Sequence, residues 1–192
     1  MTLLVVKQEQ GKATLWADRA ISLHGSQVAT TCKIQKGTLW GRDFFFACTG
    51  VLTIVPSMRS ILDQMRKTFA QSHSDDIPLP LDAPELYLDV LLRSIHTLVL
   101  AHVLGADGAG IKLDVSANLV VVLSGQAYIY DVFYLSPIKL TQGYHAIGSG
   151  SAHALTLLEV MPDINMETLF KSVSTHCQVS PEFDTVVDTV WK

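Results

Sequence analysis

TLLVVKQEQGKATLWAD, residues 2–18, holds two β-rich runs around a turn. Leu3–Lys7 is the first run, Gln8–Lys12 with Gly11 inside it is the turn, and Ala13–Ala17 is the second. The spacing predicts a hairpin at the very start of the chain. A second pair follows, with Thr31–Gln35 and Asp43–Cys48 as strands and Lys36–Gly41 as their connection. Phe44-Phe45-Phe46 has no polar alternation, so that strand is expected to be central and covered on both faces.

The period then changes. Between Pro56 and Phe69 the apolar residues Met58, Ile61, Leu62, Met65 and Phe69 fall at helical spacing. Asp82-Ala83-Pro84-Glu85 opens a second helix with a cap, an early proline and an early acid, and glycines end it at Ala106–Gly110. His73–Pro80 between them is too short for a domain boundary and reads as a loop. Strands return at Asn118–Leu123 and Ala127–Phe133 around Ser124-Gly125-Gln126. His145–Ser151 reads as a turn leading into a helix over Ala152–Val160, Met166–Cys177 as a further helix, and Phe183–Val190 as a last strand. Strands, two helices, strands and two helices in that order predict an α+β fold with helix layers outside the sheets.

Composition narrows the function. The 192 residues fit one domain, residues 1–192, with a single core. Apolar residues are 48% and charged residues 17%, which excludes a disordered chain. A net charge of -4 supplies no field to hold a phosphate backbone or an anionic membrane surface, so neither nucleic acid nor membrane is expected as a partner. Cys32, Cys48 and Cys177 contain no paired spacing, which points to a reducing compartment; Cys32 and Cys48 read as small buried hydrophobes. Leu3–Val6 is too short for a secretion signal, and Leu86–Gly105 is interrupted by Asp89, Arg93, His96 and His102, so it reads as a buried helix. The seven histidines include no zinc-binding motif, and no metal or cofactor is expected.

Five short stretches carry a resemblance. Thr2 heads a strand, Ala17-Asp18-Arg19 makes a step, Cys32-Lys33-Ile34 follows in a strand, Cys48-Thr49-Gly50 leads into a helix, and Ala146-Ile147-Gly148-Ser149-Gly150-Ser151 forms a turn. In this order, and over nearly the whole chain, they resemble the proteasome β-subunit group, including its bacterial ATP-dependent relatives. The resemblance implies an N-terminal nucleophile (Ntn) hydrolase: a four-layer αββα sandwich of two antiparallel sheets. It further implies a homo-oligomeric ring, a peptide substrate, a separate ATPase, and a cytoplasmic location.

By the same resemblance Thr2 is the nucleophile, first in the mature chain once Met1 is removed, with no propeptide needed. Lys33 supplies a cation, Asp18 holds that lysine, backbone N–H groups near Gly50 face the oxyanion, and Ser149 supports the amine. The chemistry is reasonable in itself. A threonine hydroxyl needs a base, and an α-amine with an ordinary pKa of about 7.7–8.0 can serve. A neighbouring cation lowers that value further. Each residue also has a plainer reading, with Thr2 a strand start, Asp18 a turn former, Lys33 a solvated edge lysine, and Gly148 and Gly150 close-packing glycines. The chain departs from the family pattern at Leu3, where a second threonine is common, and near Lys171, where an acid is expected; Ser174 matches that acid's serine partner. The readings that follow are a threonine peptidase, an inert structural or assembly subunit as in a virion, or a hydrolase of small amides.

Overall fold

A computed structural model describes residues 2–23, 26–39, 42–49, 88–89, 92–93, 118–131 and 137–191. The opening hairpin is β1 (Leu3–Glu9) and β2 (Lys12–Asp18); β1 starts where expected, both strands reach further into the turn, and β2 also runs on to Asp18. Its turn shrinks to Gln10 and Gly11, the latter at φ 67°, where glycine is unstrained. Next come β3 (Ala20–Leu23), β4 (Ser26–Thr30), β5 (Gln35–Leu39) and β6 (Arg42–Thr49). The later strands are β7 (Asn118–Leu123), β8 (Gln126–Asp131), β9 (Pro137–Lys139), β10 (Gly143–Gly148) and β11 (Phe183–Thr189). Between the last two lie helices α1 (Ser151–Val160) and α2 (Met166–Ser174).

Among the described residues three antiparallel assemblies result: a four-stranded sheet ordered β10-β1-β2-β11, a five-stranded sheet ordered β5-β6-β7-β8-β9, and the β3–β4 pair. One face of the first sheet meets the second sheet. Leu4, Val6, Ala13, Leu15 and Ala17 pack with Ala47, Val120, Val122, Ala127 and Leu140 in one buried cluster. The alternate residues of β1, Leu3 and Val5, join Ala154, Leu158, Leu169, Phe170 and Val173 of the two helices. Period-two alternation in a single strand therefore serves two cores. Helix α2 is capped by Asn165, whose Oδ1 accepts from Thr168 N–H at 2.8 Å. On the far face of the second sheet Phe44, Phe46, Leu119, Val121, Tyr128 and Tyr130 are also buried, as the Phe44-Phe45-Phe46 run predicts for an interior strand.

Several boundaries differ from expectation. Residues 31–34 are irregular, and the strand begins only at Gln35 and runs into the expected loop as far as Leu39. The reason is visible at Gly37, where a Cβ would come within 2.2 Å of the Phe44 ring on the paired strand; the glycine is a seat for that ring, not a turn signal. His145–Gly148 is strand, not turn, because β10 pairs with β1 from Leu3↔Gly148 to Gln8↔Gly143. Helix α2 stops at Ser174, short of Cys177. Strands β3, β4 and β9 give no signal strong enough to be read. The expected helix at Pro56–Phe69 lies outside the described residues, as does most of the one from Asp82. Of that second helix, Leu88, Asp89, Leu92 and Arg93 are helical, and Leu88 and Leu92 are buried.

Candidate active site

The β1–β2 register sets the site. Leu4 pairs with Ala17, so the residues one step further out, Leu3 and Asp18, face each other, and Leu3 N–H donates to Asp18 Oδ1 at 2.8 Å. Thr2, one residue before the strand, is 8% exposed, while Asp18 is fully buried. The irregular segment before β5 brings Lys33 into the same place. Its Nζ donates to Asp18 Oδ1 at 2.7 Å and to Thr2 Oγ1 at 3.1 Å. Lys33 is 5% exposed, which corrects the reading of a solvated edge lysine. Burial pushes the Lys33 ammonium below its ordinary value, and the Asp18 carboxylate opposes that push by attraction and hydrogen bonding.

Asp18 is held more fully than the sequence indicates. Its Oδ2 accepts from Ala20 N–H at 3.0 Å and from Ser180 N–H at 3.1 Å. Ser180, 2% exposed, sits between α2 and β11 and steadies its own turn by accepting Glu182 N–H at 3.1 Å. Nothing in the sequence singles Ser180 out, because it contributes a backbone N–H that every residue but proline owns. The next residue, Arg19, is tied to the same segment by donating its N–H to Glu182 O at 3.1 Å and by an ion pair with Asp184.

Ser149 fixes Thr2 from the other side. Its N–H donates to Thr2 O at 2.9 Å, and its hydroxyl lies 3.4 Å from the same oxygen. Gly148, at φ 102°, leaves no room for a side chain, since a Cβ would stand 2.0 Å from Thr2 O; this supports its close-packing reading. Thr49 Cγ2 lies 3.4 Å from that same point, so β6 ends beside Thr2. Gly50, the next residue, lies outside the described residues, and so does Met1. Of the five expected site residues, Thr2, Asp18 and Lys33 therefore share one buried cluster, and Ser149, itself exposed, adjoins it through the Thr2 carbonyl. Lys171, where an acid is expected, is exposed in the last turn of α2, and Ser174 Oγ donates back to the Lys171 carbonyl at 2.8 Å. Cys32 is exposed, correcting its buried reading, whereas Cys48 is buried. Among the described residues, no three His, Cys, Asp or Glu side chains are placed to hold a metal, and no helix is long and apolar enough to cross a membrane.

By sequence, no family model and no curated protein matches the chain. Solved structures do match in fold. HslV from Trypanosoma brucei superposes with a TM-score of 0.60 at 14% identity, covering 97% of this chain and 99% of that one. Thiobacillus denitrificans BPH in complex with epoxomicin gives 0.61 at 16% identity over 100% of both chains. The Anbu complex from Pseudomonas aeruginosa, solved as a helical assembly, gives 0.66 at 13% identity over 97% and 81%. All three are members of the proteasome-fold β-subunit group. The chain thus has the fold of that group, as the five sequence stretches predict.

Proposed function

We propose that this chain is an N-terminal threonine peptidase of proteasome type, one domain over residues 1–192, cleaving peptide bonds inside a homo-oligomeric ring. The observation that carries the reading is the buried line from Thr2 Oγ1 to Lys33 Nζ to Asp18 Oδ1, at 3.1 and 2.7 Å. A hydroxyl one residue outside a strand, touched by a buried lysine whose carboxylate partner has its other oxygen filled, is costly to bury and suited to nucleophilic attack. With Met1 removed, the Thr2 amine takes the hydroxyl proton as Oγ1 attacks the scissile carbonyl. Lys33 stabilises the oxygen as charge develops and keeps the amine's proton affinity low. The amine then delivers its proton to the leaving nitrogen, and water releases the acyl group by the reverse sequence. Oxyanion donors near Gly50, a fourth layer of helices over the buried outer face of the second sheet, a separate ATPase, and a cytoplasmic location belong to the same proposal. The helical assembly of the Anbu neighbour supports self-association.

A second reading, an inert structural or assembly subunit such as one in a virion, is favoured by one observation. Lys171 and Ser174 bring no carboxylate or hydroxyl that is bonded to Thr2. Thr2→Ala decides between them. Deleting one hydroxyl at a strand end removes no core volume, so assembly should persist while peptide turnover and labelling by an epoxyketone such as epoxomicin disappear; Thr2→Ser should retain part of both. The peptidase reading fails if wild-type protein, shown by intact mass to lack Met1, assembles yet neither hydrolyses peptides nor takes the label.

A further inference from the structure

We infer that Cys177 and His153 form a thiol-modification site for low-molecular-weight disulfides, and that an adduct there loosens the backbone hold on Asp18. Its effect on turnover rests on the peptidase reading; adduct formation and the loosening of Asp18 do not.

The three cysteines stand in different settings. Cys48 is fully buried in β6, and burial pushes its thiol up to about 12, so it is chemically quiet. Cys32 is exposed, donates its thiol hydrogen to Ile34 O at 3.2 Å, and has no imidazole among its described partners. Cys177, half-buried just beyond α2, has Sγ 3.6 Å from His153 Nδ1 in the first turn of α1. The exposed His176 ring stacks on His153 with centroids 5.5 Å apart and planes 14° from parallel. Stacked rings do not converge on a point, so this cluster is arranged as a thiol beside a steadied imidazole and not as a cation cage.

The exchange is balanced. The Cys177 thiol passes its proton to His153 Nδ1 as sulfur attacks one sulfur of the disulfide. A new Cys177 S–S bond forms, the old one breaks, and the leaving thiolate takes the proton from His153. The protein thiol is oxidised, half of the disulfide is reduced, and His153 is regenerated.

The consequence follows from how tightly the next three residues are tied. Cys177 N–H donates to Val173 O at 2.9 Å, and Val179 N–H donates to Cys177 O at 2.8 Å. Val179 is buried, and Ser180 N–H reaches Asp18 Oδ2 at 3.1 Å. The Cys177 side chain also packs against the cluster of Leu3, Phe170 and Val173. An added peptide-sized thiol has no space on that side, because interiors are close-packed. The side chain must turn outward, which draws the 177–180 backbone away from Asp18.

The test uses full-length Cys32→Ser protein treated with oxidised glutathione. Expected is a single adduct by intact mass, mapped to Cys177, forming at least about tenfold more slowly in Cys32→Ser/His153→Ala, the scale of a lost proton acceptor. The Ser180 amide should exchange with solvent faster in the adduct, peptide turnover should fall, and a reducing thiol should restore both. Cys32→Ser/Cys177→Ser should turn over peptide normally and ignore the disulfide. An adduct whose rate is unmoved by His153→Ala, or one that leaves Ser180 exchange unchanged, overturns the inference. Adduct formation and faster Ser180 exchange without any turnover to lose would strike the peptidase reading and leave this one standing.

Discussion

Asp18 and Asp188 are both buried aspartates in the same sheet, at opposite ends, and the chain treats them differently. Asp18 ends β2 and meets a lysine as well as three backbone N–H groups, from Leu3, Ala20 and Ser180. Asp188, near the end of β11, accepts Gly125 N–H at 2.7 Å, and burial with the nearby Asp43 pushes its carboxyl above the ordinary value against the N–H groups of Gly125 and Thr189. Around Asp188 lies a latch of neutral polar groups. Gln8 donates to Gly125 O at 3.0 Å and accepts Ala127 N–H at 2.8 Å, while Trp191 N–H donates to Ser124 Oγ at 3.1 Å. The latch joins the β1–β2 turn to the β7–β8 turn and so locks one sheet on the other. At the far end, a full ion pair is buried against a hydroxyl. A fold can join its sheets without buried opposite charges, as the latch shows, so joining the sheets does not by itself require the ion pair beside Thr2.

The largest effect expected from breaking this contrast is at Asp18. Asp18→Asn removes the charge opposite a buried lysine and turns an amide N–H₂ toward donors already in place. A stability loss of about 3–5 kcal/mol is expected, the cost of leaving one buried partner unpaired. Urea unfolding should show the midpoint falling with the slope unchanged. A loss below about 1 kcal/mol would mean that water reaches Lys33 and that the site is wetter than its burial indicates.

A middle effect is expected in the latch. Gln8→Ala leaves the buried Gly125 carbonyl and Ala127 N–H without their side-chain partner, at about 2–4 kcal/mol for the two together. Turnover per folded molecule should not change, because Gln8 and Thr2 lie at opposite ends of β1. If Gln8→Ala abolishes turnover in protein that is still folded, the two ends are not independent and the contrast collapses.

What the sequence disclosed of this arrangement depends on where the information lies. The β1–β2 and β7–β8 hairpins are legible because each carries its own alternation and a glycine at the turn; Ser124 and Gly125, at φ 50° and 70°, close the second. Strand β10 is not legible, because its partner is β1, well over a hundred residues earlier, and its glycines imitate a turn. Strand β5 is misplaced because Gly37 answers to Phe44 on another strand. In the candidate site, the family resemblance singles out Thr2, Asp18, Lys33 and Ser149, which the structure brings together. Ser180 is not singled out, since its role is borne by the backbone, and neither is the latch, whose residues are ordinary polar side chains until the turns meet.

The smallest effect, and the one that sharpens the comparison most, is at Asp188. Its folded carboxyl is raised above the ordinary 3.8, with burial the largest cause, so the folded state holds the proton more tightly than the unfolded chain does. Stability therefore falls as pH rises from the ordinary aspartate range through the folded value, then levels off. Asp43 repels the carboxylate, and Lys36 is itself engaged by Asp43 at 2.6 Å. Asp188→Asn keeps an oxygen to accept Gly125 N–H and cannot ionise. It should raise the unfolding midpoint at neutral pH, and the gain should shrink toward zero as pH falls below the ordinary aspartate range. Midpoints of both proteins measured along that pH series give the answer. A gain that persists unchanged at low pH would arise from packing, whereas a loss at neutral pH would mean that the Asp188 charge strengthens its bond to Gly125 by more than burial costs it. The latch would then depend on charge as the site does, and the distinction between the two ends would have to be drawn from the lysine alone.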